Sequence, residues 1–554
     1  MRGRNILEGV VILHETIHEM HRKRLNGVIL KIDFEKAYDK VKWPFLFQTL
    51  RMKGFSPKWI SWVKSFIMGG SVAVNVNDDV KKFFQTKKGL QQGDPLCPLL
   101  FNIVADMLAI LINGAKEHGQ VSGVVPHLID GGLSILQYAD DTIIFMENDL
   151  EKARNMKLLL CAFEQVSGLK INFHKSEILC FGNARDSLES YLELFGCKQG
   201  DFPIKYLGMP IHFKKLRNSD WNIVEERVEK RLASWKGKHL SIGGRLTLIN
   251  SVLSSLSMYM MSFFAIPKGV LKKLNYFRSR FFWQGDESKR KYRLARWNIL
   301  CQPNDQGGFG IHDLNIKNTA LLSKWLFKLL TLDGTWQQLL RNKYLGSKPL
   351  VQVDWKTGDS HFWSSLMKVK QDFLRFGTFK IKNGSQGLKD RYPGLYSIAR
   401  KNFITIAEAL TDTYRSSFFL EKNINWAELS QEDDTFHWSL TQSGQFSMKS
   451  HYQALIKNEV PNLNKRLWKL KAPLKIKVFL WYLRIGVILT KDNLANRNWH
   501  GDISRCFCHK PEIIKHLFLE CRFARMVIYA TSHWLRTWAV LQKADQQATV
   551  VEAT

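Results

Sequence analysis

Apolar residues recur near helical spacing at Ile6, Val10, Ile12, Leu13, Ile17 and Met20, which predicts an opening helix that ends in a basic stretch before Gly27. Val28 to Phe34 reads as a strand, because β-branched residues crowd it and Asp33 stands near its exit. Two short helices are expected over Pro44–Lys53 and Pro57–Met68, parted by Gly54, with a further strand over Val72–Val76. Asp94-Pro95 has the chemistry of a helix start: the carboxylate can accept from free amides and the proline pre-sets φ at the first helical position. A long apolar helix then runs to Ile112. Ser134–Gln137 and Thr142–Phe145 predict the arms of a tight hairpin, with Tyr138-Ala139-Asp140-Asp141 at its tip. Asp149 is placed to cap an amphipathic helix that stops at Gly168, and Ile171–Phe181 returns as a strand.

Strands and helices are mixed here without regular βαβ alternation, so the expected fold class is α+β, an antiparallel sheet covered by helices on one face. Beyond Phe202 the pattern becomes helical and basic, with helices expected over Glu225–Trp235, Arg245–Phe264 and Leu271–Trp283. From Trp297 the chain is Trp-rich and less regular, and a distinct C-terminal unit is expected from Asn425. The apolar run nearest to a membrane span is Val252–Pro267, but four serines interrupt it and Pro267 stops it, so a buried helix is the reading. The N-terminus has no signal-type core, because His14, Glu15 and His18 break it, and an intracellular protein is expected.

Composition adds one strong constraint. Hydrophobic residues make up 45% and charged residues 24% of the 554, a globular balance with length for several compact units. Lys and Arg number 81 against 50 Asp and Glu, a net charge of +31 that favours a polyanionic partner, nucleic acid before membrane surface. Cys97, Cys161, Cys180, Cys197 and Cys301 are scattered and read as core or surface thiols, whereas Cys506, Cys508 and Cys521 cluster near His516, so no disulfide framework is expected.

Asp33 at a strand exit and Asp140-Asp141 at a hairpin tip are far apart in the chain, and only folding can bring them together. Nucleotidyl transfer to a 3′-hydroxyl needs such convergence, since two divalent ions about 3.5–4 Å apart must be held by bridging carboxylates. Hard oxygen ligands select Mg²⁺.

Residues 31–39 (KIDFEKAYD), 89–102 (GLQQGDPLCPLLFN), 137–141 (QYADD), 168–177 (GLKINFHKSE) and 206–208 (YLG) resemble, in order and spacing, successive motifs of reverse transcriptases of the plant non-LTR retrotransposon (LINE) type. The resemblance implies a right-hand polymerase: a palm with part of the fingers over 1–213, a helical thumb over 214–296, a Trp-rich connecting region over 297–424 and a mainly α, zinc-binding-like domain over 425–554. It implies that Asp33, Asp140 and Asp141 hold two Mg²⁺ ions, the first hairpin acid facing the strand of Asp33 and Asp141 pointing partly aside. Tyr38, beside Phe34, matches the ring that excludes a 2′-hydroxyl; Gln92 and Gly93 match the segment against template and nucleotide. Tyr138 and Ala139 complete the hairpin motif. Lys175, or Lys170, is the candidate to protonate the leaving pyrophosphate. Tyr206, Leu207 and Gly208 match the turn that grips the primer end.

Residues 468–481 (WKLKAPLKIKVFLW), then Cys506, Cys508, His516 and Cys521, resemble the zinc-binding domain that follows such polymerases, a Cys₃His set. One departure stands out: a single residue, Phe507, separates the first two cysteines where the family has two. The resemblance also begins part-way through the fingers, and a Trp-rich acidic stretch around Asn383–Leu388 is missing. Two readings stay open: an RNA-directed DNA polymerase acting on RNA template, DNA primer and deoxynucleoside triphosphates in the nucleus, and an inactive remnant, cut from a decaying element, that binds nucleic acid. A maturase or telomerase-like enzyme is a more distant third, disfavoured by the Cys/His unit.

Overall fold

The computed structural model describes residues 6–232, 239–284, 292–346, 348–380, 435–456, 465–470, 473–506 and 508–540. Asn383–Leu388 therefore lies outside the described residues. The chain mixes α and β with helices predominating, and it divides into two compact units, 1–217 with 322–445, and 218–321 with 446–554.

The first unit is organised around the strand Gly27–Ile32, whose residues are buried except for Lys31. It sits at the centre of a five-stranded sheet, ordered Ile135–Tyr138, Asp141–Met146, Gly27–Ile32, Glu177–Phe181 and Lys198–Gln199. All neighbours are antiparallel except the last pair. Val28, Leu30 and Ile32 pack into a core with Leu100, Phe101 and Val104 of the helix Cys97–Glu117 and Leu160 and Phe163 of the helix Leu150–Ser167. The opposite face is not open, as a one-sided sheet would be: Ile29, Ile143 and Phe145 are also fully buried. The opening helix Ile6–Arg22 packs against the hairpin arm Ile135–Tyr138. Each such apolar side chain contributes roughly 1.5–3 kcal/mol when fully buried.

Local signals decide several boundaries as expected. Asp149 accepts from the amides of Glu151 and Lys152, and the helix closes at Gly168 with φ 80°. Ser56 caps Pro57–Met68 through the Trp59 amide. Other expectations need correction. The Asp94 carboxylate does accept from the Leu96 and Cys97 amides, at 2.8 and 3.4 Å, but the helix begins only at Cys97, with Pro98 in its first turn. The run Val72–Val76 is not one strand; Ser71–Val72 pairs with Phe84–Gln85 and Asn75–Val76 with Asp79–Val80. Ile171 forms only a bridge to Phe34, and a 3-10 turn over Phe173–Lys175 delays the strand to Glu177. Among the described residues, the helix long and apolar enough to cross a membrane is Cys97–Glu117, with mean hydropathy 1.7, and not Val252–Pro267. Half of its apolar window is buried in the core described above.

In the second unit, Lys268–Trp283 forms as expected and Asn222–Arg231 covers the start of the predicted Glu225–Trp235, whose last three residues lie outside the described residues. The expected helix Arg245–Phe264 is broken into Ile242–Leu248, a π turn over Ile249–Leu253 and two shorter turns. Serine hydroxyls explain the breaks: Ser251, Ser254, Ser255 and Ser262 bond back to carbonyls of Thr247, Ile249, Val252 and Met258 and compete with the helical ladder.

A buried ionic cluster ties the opening helix to the π turn Arg341–Leu345. Lys343 Nζ lies 2.8 Å from Glu15 Oε2 and 3.1 Å from His18 Nδ1, both side chains of the ion pair being fully buried. Tyr344 and Ser360 hydroxyls donate to the two Glu15 oxygens. Residues 14–18 (HETIH) have the spacing of a helix-borne zinc peptidase pair. Here an ammonium lies between the glutamate and the second histidine, so the motif serves packing. Burial raises the Glu15 carboxyl, but the Lys343 charge and the His14 hydrogen bond outweigh it and hold it well below the usual range. Its stabilisation is present above the ordinary carboxylate range and is lost as pH falls through that depressed value. Lys343→Met leaves Glu15 buried and unpaired; thermal unfolding at neutral pH should show a loss of roughly 3–5 kcal/mol, narrowing in acid as Glu15 takes up a proton. An unchanged melting temperature would contradict this account.

Candidate active site

The pairing of Ile32 with Thr142, carried one residue further, sets Asp33 opposite Asp141 at the end of the sheet. Tyr138 pairs with Asp141, which leaves Ala139 and Asp140 as the two residues of the turn. Ala139 adopts φ 53°, a left-handed conformation unfavourable for a residue with a Cβ. Such strain persists only where the flanking strands over-determine the turn. Asp33 and Asp140 are exposed and Asp141 is half-buried.

Strand pairing thus brings Asp33 and the Asp140-Asp141 turn to the same end of the sheet. Burial pushes the Asp141 carboxyl up, the Asp140 and Asp33 charges add to this, and Lys31 opposes it. Three carboxylates with one partly compensating lysine form a donor set of hard oxygens whose mutual repulsion a divalent cation relieves. Their ligand atoms do not all close to within 4.8 Å; among the described residues the one group that does is Cys508, His516 and Cys521.

The neighbouring site residues are carried by elements tied to Asp33. Lys36, at φ 46°, turns the chain into the short helix Ala37–Lys40. That helix carries Tyr38, whose ring stacks on Phe101 at 4.4 Å. Burial and then the Asp140 charge raise the Tyr38 phenol, so the ring lies within the field of the hairpin tip. Phe34 is half-buried against the core. The Asn172 amide donates to the Asp33 carbonyl and the Asp33 amide to Ser176 Oγ, which brackets the exposed Lys175 between two anchors. Lys170 instead lies 3.6 Å from Glu35. Gln92 lines an 840 Å³ cavity together with Asp39, Asp94 and Cys97. Gly93 has φ 96° and open space where a Cβ would be, so it is needed for the turn and leaves room beside the chain.

Tyr206 and Met209 pair across a turn in which Leu207 and Gly208 both have positive φ, 48° and 77°. That is the primed geometry that matches strand twist. Tyr206 and Tyr138 line a common 620 Å³ cavity, so this turn and the acidic hairpin are neighbours.

In the second unit, Cys508 Sγ lies 3.0 Å from His516 Nε2, and Cys521 completes a set of three soft donors that fits zinc. The Ala524 amide, followed by lesser contributions from Phe523 and Cys508, lowers the Cys521 thiol and favours the ligating thiolate. Cys506 is exposed and outside this set.

Residues 1–211, which carry the sheet and its acidic end, match the family described as reverse transcriptase (RNA-dependent DNA polymerase), and residues 446–527 match the family described as zinc-binding in reverse transcriptase. A protein of Arabidopsis thaliana named for a ribonuclease H is 27% identical, over 52% of this chain and 52% of its own length. A 149 kDa protein of transposon TX1 from Xenopus laevis is 27% identical, over 56% of this chain and 23% of its own. The Pol polyprotein of the type-2 retrotransposable element R2DM of Drosophila melanogaster is 23% identical, over 61% of this chain and 31% of its own. The chain spans about half the length of the first of these and less of the others. Residues 1–211 thus carry a reverse transcriptase domain and residues 446–527 its zinc-binding companion, and the relatives include a Pol polyprotein of a retrotransposable element.

Because Asp141 holds its proton to higher pH in the folded chain, its ionisation costs stability, and this cost develops as pH rises through the carboxylate range. Asp141→Asn should raise the melting temperature of metal-free protein at neutral pH by about 2 °C, and added Mg²⁺ should stabilise the parent more than the variant. Equal Mg²⁺ shifts in both would contradict a shared cation site.

Proposed function

We propose that this chain is an RNA-directed DNA polymerase of a non-LTR retrotransposon, which extends a primer 3′-hydroxyl on an RNA template with deoxynucleoside triphosphates. The observation that carries the reading is the strand register that sets Asp33 and the Asp140-Asp141 turn at one end of the sheet. Asp33 and Asp140 would hold two Mg²⁺ ions, with Asp141 beside them. When bound, such ions lower the cost of the attacking alkoxide and of the leaving pyrophosphate.

The remaining roles fall to this chain's own residues. Tyr38, held flat against Phe101, forms a wall under the incoming sugar with no room for a 2′-hydroxyl. Gln92 offers an uncharged amide to template and nucleotide, and Lys175 gives its proton to the pyrophosphate. Tyr206, Leu207 and Gly208 hold the primer terminus near the hairpin, whose Tyr138 lines a cavity together with Tyr206. The basic helix Lys268–Trp283 acts as a thumb along the duplex backbone, with the charge-balanced helix Asn222–Arg231 packed against it. Copying is placed in the nucleus, where chromosomal DNA supplies the primer. Cys508, His516 and Cys521 would hold zinc, with exposed Cys506 contributing less.

On a primed RNA, purified chain should incorporate deoxynucleotides in Mg²⁺, and Asp33→Asn or Asp140→Asn should each reduce the rate by roughly a thousandfold or more, the equivalent of several kcal/mol of lost charge stabilisation. Incorporation that survives Asp140→Asn would sink the assignment. Metal analysis should return zinc that is lost in Cys508→Ser and Cys521→Ser and largely kept in Cys506→Ser; equal loss in all three would make Cys506 a full ligand.

A further inference from the structure

Residues 71–85 form a two-stranded ribbon that projects from the first unit, with Asn77 and Asp78 at positive φ in its tip turn. Nearly every side chain along it is exposed, including Val72, Val80, Phe83 and Phe84, and Phe83 is 70% accessible. The adjoining helix Pro57–Met68 adds Trp62, 60% accessible, and Phe66. A two-stranded ribbon with apolar groups in water is marginal alone, and a contiguous exposed patch of this kind marks a binding surface.

Its charge points to the occupant. Over residues 57–88 six lysines face only Asp78 and Asp79, and Lys64, Lys82, Lys87 and Lys88 are all exposed. Lys81 is engaged with Asp79. Aromatic rings interleaved with lysines form a stacking platform for unpaired bases, with cations following the phosphates. A second copy of the chain would oppose like charges, and a duplex hides its base faces. The base of the ribbon is continuous with the site: Phe66, Val72, Phe84 and Lys88 line the same cavity as Gln92.

We propose that this ribbon and helix grip the single-stranded template as it approaches the site. The proposal rests on the polymerase reading for the strand's identity, but it concerns binding alone. Rings of Phe83, Phe84 and Trp62 stack bases while Lys82, Lys87 and Lys88 pair with phosphates.

The test uses the full chain, a labelled single-stranded RNA and a blunt RNA–DNA duplex, by fluorescence anisotropy at fixed salt without Mg²⁺ or nucleotides. Phe83→Ala with Phe84→Ala, and separately Trp62→Ala, should weaken RNA binding about 10-fold or more and leave duplex binding unchanged. These side chains are exposed, and an unaltered melting temperature checks that each variant folds. Lys82→Ala with Lys87→Ala and Lys88→Ala should flatten the salt dependence. Unchanged RNA affinity in both aromatic variants overturns the proposal, as does conversion of a dimer to a monomer with RNA affinity intact. Loss of RNA affinity in a chain that never extends a primer leaves this proposal standing and removes only the polymerase reading.

Discussion

The pairing of Gly27–Ile32 with a strand on either side is the constraint from which the site follows. On one side it meets Asp141–Met146 and on the other Glu177–Phe181, both antiparallel and in fixed register. A slip of one residue would exchange the face of Val28, Leu30 and Ile32 with that of Ile29 and Lys31 and drive the Lys31 ammonium into the close-packed core, so the core itself opposes the slip. The same register brings Asp33, one residue beyond Ile32, to the end of the sheet that carries the Asp140-Asp141 turn, and puts Lys31 opposite Glu177 and Ile143. Apolar packing thereby positions carboxylates that repel one another.

Charge is handled in two ways within this unit. Inside, Glu15 is surrounded by Lys343, Tyr344 and Ser360, and each oxygen has a donor. Neutralised and bonded, it locks the opening helix to a segment more than three hundred residues away. At the sheet end, burial first and then the Asp140 and Asp33 charges raise the Asp141 carboxyl, with Lys31 opposing them. A fold that satisfies one set of acids and leaves another exposed at a strained turn stores its unmet electrostatics where a cation and a phosphate chain can meet it.

Much of the first unit was legible because its signals are local. Asp149 and Gly168 bound a helix through their own caps, and the Tyr138–Asp141 tip follows from two apolar arms and a short turn. The ordered motifs point to the acids, Tyr38, Gln92 and the Tyr206 turn as site candidates. Less legible were features set by competition. Asp94 makes the expected bonds without being the cap, because Pro98 also suits a first turn. Val72–Val76 has strand composition but no sheet to join, so it splits into ribbon pairs. The serines of 251–262 looked like mere interruptions of an apolar run, yet they divert the backbone ladder.

Residue order alone established the acidic motifs, their spacing, the basic charge and the family likeness, since these depend on which groups occur and in what sequence. Why an H-E-x-x-H spacing holds a lysine and which three of four zinc-type ligands meet were decided by tertiary contacts. Those outcomes turn on partners remote in the chain: Lys343 for Glu15, Cys521 for Cys508. No local propensity encodes such pairings, because their energy exists only once the core has closed.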